Sequence, residues 1–138
     1  MPMKLVLGFA AAVLVSLSTP ATAHHSFAMF DNTKSITLTG TVKEFEWVNP
    51  HAWIHVMIKN DAGVTEEWAF EMGSVGNLAA VGWKKESLKP GDVITIAARP
   101  MKDGSHGGSG QTVRNDAGEC IGRCTPFAGP PPPGAAIP

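Results

Sequence analysis

The chain has almost no surplus of charge, with 11 Lys and Arg against 12 Asp and Glu, and it carries only two cysteines. Each scarcity excludes something. A formal net charge of -1 provides no basic face of the kind a phosphate backbone requires, so nucleic acid is not a partner. Continuous apolar sequence is also scarce. The one long run, Leu5 to Leu17, is shorter than the ~20 residues needed to span a bilayer, and no second run follows it. Recognisable catalytic signatures are missing too. Ser26 and Ser74 sit in no nucleophile motif, Glu66-Glu67 reads as a solvated strand end, and "GSHGGSG" lacks the lysine, strand and helix of a phosphate loop. A hydrolase therefore has no support, and there is no internal repeat.

The first residues contain a targeting segment. Lys4, the apolar run, the helix-breaking Pro20 and the small-x-small site Ala21-Thr22-Ala23 have the order of a secretory signal peptide over residues 1–23. No cysteine sits just after the cleavage site, so lipoprotein anchoring has no support in the sequence. The expectation is an exported, periplasmic protein that is not inserted in the membrane after processing. Subtracting 23 from 138 leaves 115 residues, and the loss of Lys4 alone leaves 10 basic against 12 acidic groups, a net charge of -2. That length holds one domain with a modest core. In an oxidising compartment, Cys120 and Cys124 of "ECIGRC" read as a short-loop disulfide. The alternative, a redox or metal pair, has neither the two-residue gap of thioredoxin-like sites nor the following histidine of a haem attachment site.

Periodicity predicts the fold. In "SITLTGTVKEFEWV", residues 35–48, apolar Ile36, Leu38 and Val42 alternate with polar neighbours, and the phase then shifts to Phe45 and Trp47. This is one long strand that coils, with Gly40 at a bulge or sharp bend. Asn49-Pro50 is a turn, "AWIHVMI" is a second strand and "VTEEWAFEM" a third. Ser74 caps a short helix through Val81, with Val75, Leu78 and Ala79 inward and Gly82 at its end. A fourth strand runs from Val93 to Ala98, and a glycine-rich loop leads to a weak fifth near Thr112 to Ile121. The result is a mainly β domain: a small OB-fold-like five-stranded barrel with one short helix between strands 3 and 4. The alternative is an open antiparallel sheet with one helix packed on a face. The domain plan is a signal peptide over 1–23, an N-terminal arm over 24–34, the barrel over 35–124 and a Pro-rich, extended or disordered tail over 125–138.

Four stretches, "AHHSFAMFD", "GTVKEFEWVNPHAWIHV", "EEWAFEMGSVGNLAAVGWKKESLKPGD" and "DGS...NDAGE", resemble a family of small exported proteobacterial proteins, domain of unknown function 6152. The resemblance implies an exported OB-like barrel and lends no activity. The cysteine pair and the tail lie outside it.

Five histidines carry the functional reading. Cleavage after Ala23 makes His24 the first residue, whose α-amine and ring Nδ1 close a six-membered chelate. A second imidazole would complete a histidine brace, and such all-nitrogen sites favour copper over magnesium or calcium. Cleavage one residue earlier places His25 third, which also wraps Cu(II). The partner should come from "NPHAWIHVM", where His51, Trp53, His55 and Met57 share one face. At ~3.3 Å per residue, His51 and His55 stand roughly 13 Å apart and serve one metal only if the Asn-Pro turn folds His51 back. His55 and Met57, roughly 6.6 Å apart, are the nearer pair, and imidazole with thioether suits Cu(I). His106 is a reserve candidate. The sequence thus points to a periplasmic protein that binds or delivers copper rather than turning over a substrate, with a periplasmic or membrane protein as a further partner. The alternative is a metal-free module in which Trp47, Trp53, Trp68 and the loop from Pro100 to Gln111 hold a small ligand or a partner protein.

Overall fold

Strict alternation along β2, Trp53–Lys59, sends Ile54, Val56 and Ile58 to one side and Trp53, His55 and Met57 to the other. A strand with one fully apolar face needs another sheet face to bury it, and here the sheet closes on itself. In the computed structural model of the protein, which describes residues 27–124, β1 (Ile36–Glu46) pairs antiparallel with both β2 and β4 (Val93–Pro100). The strand β3 (Thr65–Glu71) pairs antiparallel with β2 and parallel with β5 (Gly107–Asn115), which returns antiparallel to β4. The closed order β1-β2-β3-β5-β4, with helix α1 (Val75–Ala80) between β3 and β4, is an OB-type barrel and excludes the open sheet. Phe70, Ile54, Ile94, Ile96, Val42, Val56 and Val113 are fully buried at its centre, each contributing about 1.5–3 kcal/mol of transfer free energy.

The phase shift expected in β1 is present, but its origin is not where the glycine suggested. The register against β2 shifts between Val42 and Glu44, which turns Phe45 toward the core as Val42 is buried. Gly40 itself keeps a negative φ. It is needed for space, because a Cβ there would lie 2.5 Å from the Met57 carbonyl oxygen and 2.8 Å from side-chain carbons of Val56 and Ile58.

The fifth strand is also corrected. It begins at Gly107 and ends at Asn115, so half of the expected glycine-rich loop is strand. The glycines are there because a Cβ on Gly107 would stand 2.7 Å from the Ala69 carbonyl and one on Gly108 still closer to that of Arg99. Glycine's low strand preference conceals this, since the requirement comes from neighbouring backbones. Beyond Asn115 a turn at Gly118 (φ +80°) leads to a bridge between Arg114 and Cys120, and Cys120 is joined to Cys124 by a disulfide.

The Ser74 side chain caps α1 by accepting from the Asn77 N–H at 3.2 Å, and Gly82 ends it at φ +96°. Leu78 is buried as expected, whereas Ala79 is exposed and Val75 only half-buried. A helix of less than two turns has room for one inward residue, and Trp83, which returns its N–H to the Leu78 carbonyl at 3.0 Å, fills the rest of that face. No helix among the described residues is long and apolar enough to cross a membrane. The expected signal segment over residues 1–23, His24, His25 and the expected tail over 125–138 lie outside the described residues.

Candidate functional site

His55, on the outward face of β2, and His51, two residues before that strand, meet different surroundings. His55 projects over Ala69, its partner on β3, between carboxylates of both neighbouring strands. Its Nδ1 lies 3.0 Å from Glu67 Oε1 and its Nε2 2.9 Å from Glu46 Oε1. Glu67 also accepts from Lys43; this hydrogen bond is the largest influence on its carboxyl and, with a lesser one from His55, holds it below the usual carboxylate range against an opposing effect of desolvation that ranks between the two. Both ring nitrogens of His55 are thus engaged, and Glu67 is part of a network rather than a plain solvated strand end. Met57, on the same face, is half-buried.

His51 lies ahead of β2, after the cis Asn49-Pro50 turn. Its Nδ1 is 2.5 Å from Glu71 Oε1, an ion-pair contact without the angular geometry of a hydrogen bond. Glu71 is only 7% exposed and is the one buried charged side chain among the described residues. Its second oxygen, Oε2, is buried and has no hydrogen-bond partner among them. Burying a carboxylate is costly unless a cation or donors compensate, so this oxygen is a place where positive charge or a proton donor is stabilised. Both residues line a cavity of about 300 Å³ together with Phe30, Asn77, Ser109 and Gln111.

Phe30 connects this cavity to the N-terminal arm. It is 4% exposed, bridges Met101 at the end of β4, and is followed by an Asp31 N–H donating to the Pro100 carbonyl at 2.8 Å. The arm is therefore fastened to the barrel at the cavity wall. His25 and His24 stand five and six residues before Phe30, so at ~3.3–3.6 Å per residue no more than about 22 Å of chain separates them from it. His106 belongs elsewhere: its ring stacks on Trp68 at a centroid distance of 4.8 Å, and its Nε2 faces Glu66 Oε2 at 3.6 Å.

Residues 11–111 match the family described as a family of unknown function, DUF6152. The chain belongs to that family. The match ends before "NDAGE", the cysteine pair and the tail. No curated protein matches the chain.

Among the described residues no three His, Cys, Asp or Glu side chains converge as a set that could hold a metal ion. His51 and Glu71 supply an imidazole and a carboxylate, two donors of a type that suits a divalent transition metal. Glu71 escaped the sequence reading because "WAFEM" gives a strand and nothing more; its burial depends on the Asn-Pro turn and on β5. The tryptophans do not share a face. Trp47 and Trp68 pack against the core, with Trp47 against Phe45 at 5.6 Å and Trp68 against Phe70 at 6.1 Å. Trp53 looks outward from β2.

Proposed function

We propose that the protein is exported, is cut after Ala23 and binds copper at its new terminus, with His51 rather than His55 as the second imidazole. The observation that carries this reading is the position of Phe30, which seats the arm at the wall of the cavity holding the His51 and Glu71 pair. His24 supplies its α-amine and ring Nδ1, and His51 supplies the third nitrogen. Glu71 offsets part of the charge from a buried position, where a carboxylate interacts more strongly than in water. The donor set favours copper over hard cations. His55 is a poorer partner because a metal would have to displace a carboxylate contact from each ring nitrogen. Binding or delivery suits a barrel of this size better than turnover.

The test compares two forms of one protein. Processed protein starting at His24 and a version keeping one extra residue before it have identical side chains from His24 onward, but the extension converts the amine into an amide. Calorimetric titration with Cu(II) in one weakly chelating buffer should find the extended form at least about 100-fold weaker, about 2.8 kcal/mol. Affinity of the processed form should fall as pH drops through the imidazole and amine range, where protons compete for the same nitrogens. Equal affinities of the two forms would overturn the terminal site.

A further inference from the structure

After β5 the chain turns at Gly118 and pairs back on itself, with the Asn115 N–H donating to the Glu119 carbonyl at 2.9 Å and the Ile121 N–H to the Val113 carbonyl at 2.9 Å. Beyond Ile121 the ladder stops. Among the described residues no backbone–backbone hydrogen bond holds Gly122, Arg123 or Cys124, and this segment is tied down by the Cys120–Cys124 disulfide and by the seat of Gly122 on Trp83. We propose that the disulfide is a site of exchange with a dithiol partner, and that its reduction releases residues 122–124 from the barrel and loosens helix α1. It uses no residue of the terminal chelate, and it stands or falls apart from that reading.

What the segment covers gives the disulfide its consequence. Gly122 lies at φ +72° against the indole of Trp83, where a Cβ would overlap ring atoms Cδ1 and Nε1 and stand 3.2 Å from the Val81 carbonyl oxygen. Gly82, which ends α1, faces the Gly122 Cα. Trp83 is buried beneath this cover, its ring 5.7 Å from that of Phe45, and its N–H donates to the Leu78 carbonyl of α1. The other end of α1 is fastened separately, by the Val75 N–H donating to Asn49 Oδ1 at 3.2 Å. So short a helix takes its stability from packing rather than from its own turns. Lifting the cover from Trp83 therefore loosens the C-terminal end of α1 and leaves the barrel strands paired.

Access favours one sulfur. Cys120 is exposed and Cys124 half-buried, so an incoming thiolate meets Cys120 first. Its attack forms a mixed disulfide with Cys120 and expels Cys124 as a thiolate, which takes a proton from solvent. The partner's second thiolate then attacks the partner's own sulfur in that bond, and Cys120 leaves in turn. The partner is oxidised to a disulfide, and two electrons and two protons have passed to the cysteine pair. Three residues separate the cysteines, not the two of a thioredoxin-like site, so the pair is the substrate of exchange rather than its agent. Because the cysteines are only four positions apart, the bond restricts the unfolded chain little and adds little to global stability, which makes its reduction a local event.

The experiment uses the metal-free chain from His24 to Pro138, with dithiothreitol as the dithiol. Reduction should go to completion without denaturant, read as two alkylated cysteines in the intact mass. The amides of Val81, Gly82 and Trp83 should then exchange with solvent at least about 10-fold faster, while those of Val56 and Phe70 change by less than about twofold. Acrylamide quenching of tryptophan fluorescence should rise on reduction in the parent and stay level in Trp83→Phe. The double variant Cys120→Ser/Cys124→Ser should show the reduced behaviour without any reductant. A disulfide that resists dithiothreitol in the folded protein, or α1 amides that exchange alike in both redox states, would overturn the proposal. Loss of protection at Val56 and Phe70 together with α1 would overturn it as well, by making the bond a staple of the whole barrel.

Discussion

His51 and His55 stand four residues apart in one stretch of chain, and their surroundings differ in the property that matters for binding. His55 stands over the middle of a three-strand wall, with a carboxylate at each ring nitrogen and Lys43 completing the network through Glu67. His51 stands where the strand pairing gives way to the Asn-Pro turn, against a buried carboxylate that keeps one oxygen over. The first arrangement is closed and holds three strands together. The second faces a cavity walled in part by Phe30 of the arm. A histidine's role is thus set by whether its neighbours satisfy one another before any ligand arrives.

The most drastic way to break this comparison is to remove the wall beneath His55. Gly40 faces the Met57 carbonyl with no room for a Cβ, so Gly40→Val should prise β1 from β2 and scatter the carboxylates that flank His55. A cost of about 3 kcal/mol or more is expected, the upper end for overpacking. Chemical denaturation measures it, and an unchanged midpoint would mean that β1 moves aside freely.

Next in size is the contrast between the two imidazoles as ligands. His51→Ala should weaken Cu(II) binding by about 100-fold, or about 2.8 kcal/mol, whereas His55→Ala should change it by less than about threefold. Calorimetry of both variants decides between them. The reverse order would return the second imidazole to the middle of the wall and make the carboxylates around His55 part of the metal site.

Glu71→Gln sharpens the comparison further, because it keeps the shape and removes the charge. Metal-free protein should be as stable as the parent or slightly more so, since a buried carboxylate with one unpartnered oxygen is replaced by a neutral amide. Cu(II) affinity should fall about 10-fold, the lower end for loss of an outer carboxylate partner. Thermal melts and titrations on the same sample report both effects. A clear loss of stability without metal would mean that the contact with His51 is a net structural gain.

How much of this was legible follows the range of each interaction. The β2 face could be read because a period of two is local, and Ser74 and Gly82 could be read because caps are. The coil of β1 was legible in the phase change from Val42 to Phe45, although the glycine drew attention to the wrong residue. Gly107 and Gly108 were illegible as strand because the reason for them lies on β3 and β4. The candidate site was half legible: histidine types and spacing pointed to a metal, but the choice of His51 depends on Glu71 and Phe30, which three distant segments bring together.

The smallest expected effect tests whether the wall around His55 is as closed as its geometry implies. Lys43, and then His55, hold the Glu67 carboxyl below its ordinary range. A group whose folded pKa lies below its unfolded value contributes stability above the unfolded value, and that contribution disappears as pH falls through the folded one. The parent and Glu67→Gln should therefore differ most at neutral pH, and the difference should shrink below about pH 4.5, the ordinary value for a glutamate. Because the carboxylate is solvent-screened, the difference at neutral pH should be modest, as for other exposed ion pairs. Denaturation midpoints of both proteins from about pH 7 to about pH 3, a range that spans the ordinary carboxylate values, measure the trend. A difference that stays constant across that range would mean that Glu67 contributes through packing and hydrogen bonding that the amide cannot reproduce. Its charge would then be incidental, and His55 would be held less by its two carboxylates than by the strand beneath it.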